Sequence, residues 1–430
     1  MAQVRRTLLG PTATLATLPA AAFSVPPEKT TVLKAGADSV LARAVASGDT
    51  AGVAAAVITR DQTLYVGAQG VHTLGATAAM DLDTVMLIAS MTKPITSAAA
   101  MQLVEQGRLS LDDPAAAVVP ELGALKVLQG WDANGVPLLR DAKGQLTLRH
   151  LLTHTSGFAY EIWNANLGRF CRTQNIPGVL TGQKAALRVP LCFDPGTRWE
   201  YGLGIDWVGQ LVEAASGLSL GEYFQRSITG PLGMDSTAFK ISAAMRTRLA
   251  GMHLRGDDGK LSVIDLGKVQ DPEFESGGAG LYSTANDYLK FMRMILNGGQ
   301  GNGNQILQPE TVALMSRNAM GALRVRKLPT QIPFFSRDVE FFPGVPTTWS
   351  LGFMVNEGAA PTGRSPGSLG WAGLVNTYFW IDPSLSIAGL AMTQALPFAD
   401  PRTLDLFYDF EKSVYASLNC SLEGRVTASD

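Results

Sequence analysis

Strand-like sequence stands at both ends of this chain with a long, different stretch between, and that bracketing constrains the fold more than any other feature. Near the start, Val53-Ala54-Ala55-Ala56-Val57-Ile58 passes through Asp61-Gln62 into Thr63-Leu64-Tyr65-Val66-Gly67, a strand, tight turn and strand that read as an antiparallel hairpin. Near the end, residues 350–355, 368–375, 377–381 and 385–392 are further strand-like runs, joined by turns such as Asp382-Pro383-Ser384. Between them, residues 108–344 carry many Pro, Gly and polar loops, with helical spacing at 207–215, 223–228 and 286–296. Helices are also expected at 36–48, capped by Asp38 or Ser39, and over 401–418. The expected fold class is α+β, an antiparallel sheet flanked by helices with an inserted, mainly helical lobe. Residues 28–107 and 345–425 then form the sheet-bearing lobe and 108–344 the insertion, with a cleft between the lobes as the expected place for a site. At 430 residues the chain exceeds the size at which one core keeps growing.

Charge narrows the partners. With 35 basic and 37 acidic residues and no dense run of either sign, nothing supplies the footprint that a phosphate backbone or an anionic membrane requires. No apolar run reaches the ~18 residues of a membrane span. Cys171, Cys192 and Cys420 show no CxxC or Cys/His spacing, so no zinc site or disulfide framework is indicated. Cys171 and Cys192 flank one loop-rich segment and are read as buried thiols, with pairing as the alternative in an oxidising compartment. The first 27 residues stand apart: Arg5-Arg6-Thr7-Leu8-Leu9 precedes a weakly apolar, uncharged stretch ending in Ala20-Ala21-Ala22, the layout of a twin-arginine export signal. The competing reading is a flexible leader. The first implies a periplasmic or secreted protein, the second a cytoplasmic one.

Two G-x-S-x-G motifs, Gly217-Leu218-Ser219-Leu220-Gly221 and Gly363-Arg364-Ser365-Pro366-Gly367, invite a nucleophile-elbow reading. That elbow needs a strand before the serine and a histidine after it, and the chain has only His72, His150, His154 and His253. Ser365 therefore has no histidine to serve it. Ser219 follows a helical stretch, and Ser219-Leu220-Gly221-Glu222 is a capping box. Ser90-Met91-Thr92-Lys93 has the opposite profile. Val85-Met86-Leu87-Ile88-Ala89 runs into Ser90, and helical spacing follows over 91–106 with Pro94 tolerable only in a first turn. Serine at that start and lysine three residues on share one face, one turn apart, so the amine can draw off the hydroxyl proton. An N-cap serine beside a solvated lysine would look the same locally. Two further segments give support: a tyrosine, Tyr201, just past the Pro195-Gly196 turn, and the Gly-bearing strand Ser368-Leu369-Gly370-Trp371-Ala372-Gly373-Leu374.

In this three-part layout the sequence resembles the β-lactamase and penicillin-binding-protein superfamily, more closely the β-lactamase-like (family VIII) carboxylesterases and the statin-side-chain acyltransferases. The resemblance also includes Leu151-Leu152-Thr153-His154-Thr155-Ser156-Gly157, Pro231-Leu232-Gly233-Met234 and Ser276-Gly277-Gly278-Ala279-Gly280-Leu281-Tyr282-Ser283. It implies a β-lactamase-like fold with Ser90 as nucleophile, Lys93 as amine or Tyr201 as phenolate taking its proton, and backbone N–H groups of Ser90 and Leu374 holding the oxyanion. A nearby ammonium would be needed to bring the tyrosine into use as a base. His154 is implied to be structural. Trp371, Ala372, Gly373 and Leu203 are expected to contact substrate. Two departures matter: Trp371 stands where β-lactamases carry a lysine, and Leu203 where their tyrosine segment has asparagine. Both weaken recognition of an antibiotic's carboxylate and amide.

Hydrolysis of short to medium acyl esters through an acyl-enzyme is thus the leading expectation, with weak cephalosporin turnover left open. The alternatives are an acyltransferase using the same intermediate and a β-lactamase. A catalytically dead binding module is disfavoured by intact Ser90, Lys93 and Tyr201, and a metal-dependent hydrolase by the lack of ligand spacing. The expected partner is a small-molecule ester, with no cofactor, metal, nucleic acid or membrane, acting as a monomer or small homo-oligomer.

Overall fold

Phe379 and Trp380 are neighbours on one strand, and their rings face opposite ways, as the two-residue period of a strand dictates. The computed structural model describes residues 26–267 and 270–418. In it Phe379 packs on Tyr288 and Phe353, with centroids 5.3 and 6.1 Å away. Trp380 packs on Phe407, Phe410 and Tyr415 of the terminal helix. A sheet buried on both faces follows from that single pair.

The elements that build it are α1 (Pro27–Ala46), β1 (Gly52–Thr59), β2 (Thr63–Gly70), α2 (Thr92–Glu105), α3 (Gly204–Ser216), α4 (Ala285–Leu296), β3 (Thr347–Trp349), β4 (Met354–Asn356), β5 (Leu369–Gly373), β6 (Thr377–Asp382), β7 (Ile387–Met392) and α5 (Pro401–Leu418). The seven strands run in the order β3-β4-β5-β6-β7-β1-β2, and every neighbouring pair is antiparallel. The N-terminal hairpin is stitched to the C-terminal strands by β1 and β7, with Ala54 opposite Met392 and Thr59 opposite Ile387. β1 reads Gly-Val-Ala-Ala-Ala-Val-Ile-Thr and is buried at every position, which is why it lacks the polar alternation of a strand with one wet face. α1 and α5 pack together over the hairpin side, while α4 packs against β1 and β7. The buried ion pair of Arg364 with Glu411, Nη2 to Oε2 at 2.6 Å, ties the loop before β5 to α5. The fold is β-lactamase-like, mixed helix and antiparallel sheet.

Three local expectations need correction. The first helix starts at Pro27, not at 36, because a proline is accommodated in a first turn where its missing N–H has no partner to lose. The leader reading for 1–27 otherwise lies outside the described residues. The run 350–355 is not one strand: Ser350 and Phe353 close a turn, N to O at 2.8 Å, between β3 and β4. Among the described residues the stretch 108–344 also holds three short antiparallel ribbons, Lys126–Trp131 with Pro137–Asp141, Met252–Arg255 with Leu261–Ile264 and Gln300–Gly301 with Asn304–Gln305. Among the described residues no helix is long and apolar enough to cross a membrane.

Candidate active site

Ser90 sits in a single turn of tight helix, Ala89–Met91, that leads into α2. The residue before it, Ala89, holds a φ of 42°, a left-handed conformation that alanine adopts only when its surroundings impose it. Those surroundings are visible: the Thr92 hydroxyl donates to the Ala89 carbonyl at 2.7 Å and accepts from Leu281 N at 3.1 Å. On the other side, a Cβ at Gly373 would stand 2.3 Å from the Ile88 carbonyl oxygen, so only glycine lets β5 lie this close to the turn. The half-buried Ser90 is thereby wedged between β5 and α2.

Lys93, one turn on, is 1% exposed. Its Nζ lies 3.2 Å from Ser90 Oγ, donates to the Gly278 carbonyl at 2.7 Å and to the Tyr160 hydroxyl at 3.3 Å, and stands 4.6 Å from the centroid of the Tyr201 ring. Burial pulls the ammonium down to about 7, with Asp206 acting the other way. A hydroxyl beside an amine that is half free near neutrality has a base at hand.

The Tyr201 hydroxyl accepts from Trp371 Nε1 at 2.9 Å. Burial pushes the phenol above its ordinary value, against hydrogen bonds with Ser90 and Trp371. Of the two proton acceptors expected, the amine of Lys93 and the phenolate of Tyr201, burial favours the neutral form of each. His154 packs edge-on to Trp349, tilted against Tyr201, and accepts from Gly202 N at 3.4 Å. Burial, then Lys93, holds it well below its usual value and neutral. It shapes the tyrosine loop.

Two residues that sequence reasoning did not select complete the network. Asp206, in the first turn of α3, accepts from Ser276 Oγ at 2.6 Å, Gly278 N at 3.0 Å and Tyr160 OH at 3.3 Å. Burial raises its carboxyl, and Lys93 with these donors opposes the rise. Gly278 is required here, since a Cβ would meet Asp206 Oδ2 at 2.5 Å. In sequence Asp206 is an ordinary first-turn acid; its distance of five residues from Tyr201 was the only cue. Tyr160 follows the Leu151-to-Gly157 segment and had none.

A cavity of about 220 Å³ opens beside Ser90, lined by Leu87, Tyr160, Ile162, Trp163, Phe335 and Leu374 among others. Leu374, just past the end of β5, lines the same cavity as the serine. The other substrate contacts expected from sequence are placed differently. Trp371 lines a neighbouring cavity of about 340 Å³ with Trp199, Phe341 and Met354. Ala372 pairs with Tyr378, whose ring stacks on Phe407 of α5, so its side chain points to the far face of the sheet. Gly373 approaches the cleft with backbone alone, and Leu203 is buried at the N-terminus of α3. Neither rival serine is near this arrangement: Ser219 forms a capping box with Glu222, and Ser365 N donates to Asp382 at 2.9 Å in a turn. Cys171 and Cys192 are free, half-buried thiols, pushed up to about 11 and about 12 chiefly by burial.

Sheet, serine turn and buried lysine define an acyl-transferring serine enzyme of β-lactamase fold. The family described as Beta-lactamase matches residues 37–412, and the chain belongs to it. Among similar proteins, the monacolin J acid methylbutanoyltransferase of Aspergillus terreus is 33% identical over 348 residues, covering 78% of this chain and 83% of that protein. The lovastatin esterase of Penicillium rubens is 31% identical over 370 residues, covering 82% and 90%. A solved structure of a mutant simvastatin synthase from Aspergillus terreus superposes with a TM-score of 0.78 at 30% identity, over 92% of this chain and 99% of that one.

Proposed function

We propose that this enzyme takes an acyl group from an ester onto Ser90 and passes it to an alcohol, with water as the competing acceptor. The carrying observation is the buried Lys93, its Nζ 3.2 Å from Ser90 Oγ, beside an apolar cavity. Hydrolysis led the expectations from sequence; transfer leads here because relatives covering most of the chain are named as transferases, and because apolar walls disfavour water. Ester hydrolysis is kept as the second reading on the strength of the esterase relative.

Ser90 Oγ attacks the ester carbonyl while Lys93 takes its proton. The oxyanion is met by the N–H groups of Ser90 and Leu374. On collapse, the leaving alcohol takes a proton from the Tyr201 hydroxyl, and the proton that Lys93 took from Ser90 passes from Lys93 to Tyr201, whose ring lies beside the amine. The acceptor alcohol then gives its proton to the same relay and attacks the acyl-serine. Trp371, through its indole N–H, keeps the Tyr201 oxygen aimed. Turnover of β-lactams is disfavoured by that neutral tryptophan and by Leu203.

Mass spectrometry of the protein mixed with p-nitrophenyl butyrate tests the reading. A butyryl group on Ser90, absent in Ser90→Ala and present in Ser219→Ala and Ser365→Ala, is expected, and added butanol should divert product from butyrate to butyl butyrate. Product that stays butyrate at every butanol concentration would make the enzyme a hydrolase. Acylation elsewhere than Ser90 would end the proposal.

A further inference from the structure

The walls of the cavity beside Ser90 solvate no charge, yet one of them is a carboxylate. Glu161 lines the cavity between Tyr160 and Ile162, and among the described residues it is the only Asp, Glu, Lys, Arg or His that does. It is partly buried, and it stands close enough to the opposite loop that a Cβ at Gly178 would lie 3.2 Å from its Oε1. Burial raises its carboxyl and its own backbone N–H opposes that rise; among the described residues no lysine or arginine contributes. Among the described residues, this partly buried carboxylate has no cation beside it. A ligand ammonium entering the cavity would supply what it lacks, and a hydroxyl would supply a donor. A ligand carboxylate would meet a like charge across apolar walls, where the repulsion is poorly screened.

We propose that Glu161 is a specificity-determining residue, admitting the ammonium- or hydroxyl-bearing end of a substrate to this cavity and turning away a carboxylate-bearing one. The inference rests on the reading of the cavity as the substrate site of the Ser90 acyl-enzyme. A carboxylate that merely leans toward solvent would leave ligand charge without effect, and the two cases separate in a binding measurement that needs no turnover.

Ser90→Ala protein is titrated calorimetrically with phenylbutylamine, phenylbutanol and phenylbutyrate, whose apolar bodies match. The amine should bind about tenfold or more tighter than the acid, the alcohol falling between, as one like-charge contact is exchanged for an opposite-charge one. In the Glu161→Gln form of that protein the amine-to-acid ratio should fall to about twofold, and in Glu161→Asp it should recover. An unchanged ratio in Glu161→Gln overturns the proposal, as does failure of all three probes to bind. Failure of the transfer reading itself shows separately, as wild-type protein with no acyl group on Ser90.

Discussion

Lys93 carries a stability penalty that can be read out without any substrate. Its ammonium is held at about 7 in the folded chain against the ordinary lysine value of 10.5. A lysine whose folded value lies below its unfolded one destabilises the fold most at low pH, where the native state must bury the charge. The penalty shrinks as pH rises from 7 to 10.5, because there the unfolded chain still binds the proton that the folded chain has lost. With one unit worth about 1.4 kcal/mol, the penalty is roughly 5 kcal/mol well below pH 7, roughly 4 at pH 7, roughly 2 at pH 9 and nil above 10.5. Lys93→Met keeps the length of the side chain and removes the charge. It also leaves the Gly278 carbonyl and the Tyr160 hydroxyl short of a partner, at about 1–3 kcal/mol each, but that loss does not depend on pH. The variant should therefore be inactive, and its stability relative to wild type should fall by about 2 kcal/mol between pH 7 and pH 9. Urea midpoints at pH 7, 8 and 9, converted with a common slope, measure the difference. Two parallel curves would place Lys93 at its ordinary value and remove the free-amine base from the mechanism.

Asp206→Asn should move the rising limb of kcat/KM toward acid by up to about one unit, because the carboxylate raises Lys93 and its loss lets the amine free itself at lower pH; an unmoved midpoint would show that the two groups do not sense each other. Trp371→Phe removes the indole N–H from Tyr201 while keeping an aromatic wall, and a neutral hydrogen bond of about 1 kcal/mol translates to roughly a fivefold lower kcat. A kcat equal to wild type would reduce Trp371 to packing.

The parts of the site legible in sequence were those that one helical turn brings together. Ser90 and Lys93 meet because three residues on a helix span one turn, and that arithmetic survives any tertiary context. Trp371 was legible through its glycine neighbours, yet which side chains of β5 face the cleft was not, because strand register decides it: Trp371 opposite Phe379 and Ala372 opposite Tyr378 put them on different faces. Tyr160 and Glu161 arrive from a loop with no local spacing to betray them, and Asp206 from a helix start where only its nearness to Tyr201 marks it. In the fold, strands bounded by turns and the helix Pro401–Leu418 were legible, since period and proline mark them. The ribbon at Lys126–Trp131 was not, because its partner exposes Leu138 and Leu139 and so carries no one-sided apolar pattern.

The pairing of Ala54 with Met392 has a consequence for how the chain comes to exist at all. β1 is the first strand synthesised among the described residues, buried at every position and paired on one edge by β2, and its other edge finds β7 only when nearly all the remaining chain has left the ribosome. So long a closure slows folding, and an open apolar strand edge in the meantime is a template for the wrong partner. Nascent chains that stop short of residue 392 should accordingly collect in aggregates, and the full-length enzyme should depend on holdase chaperones during synthesis more than its finished stability suggests.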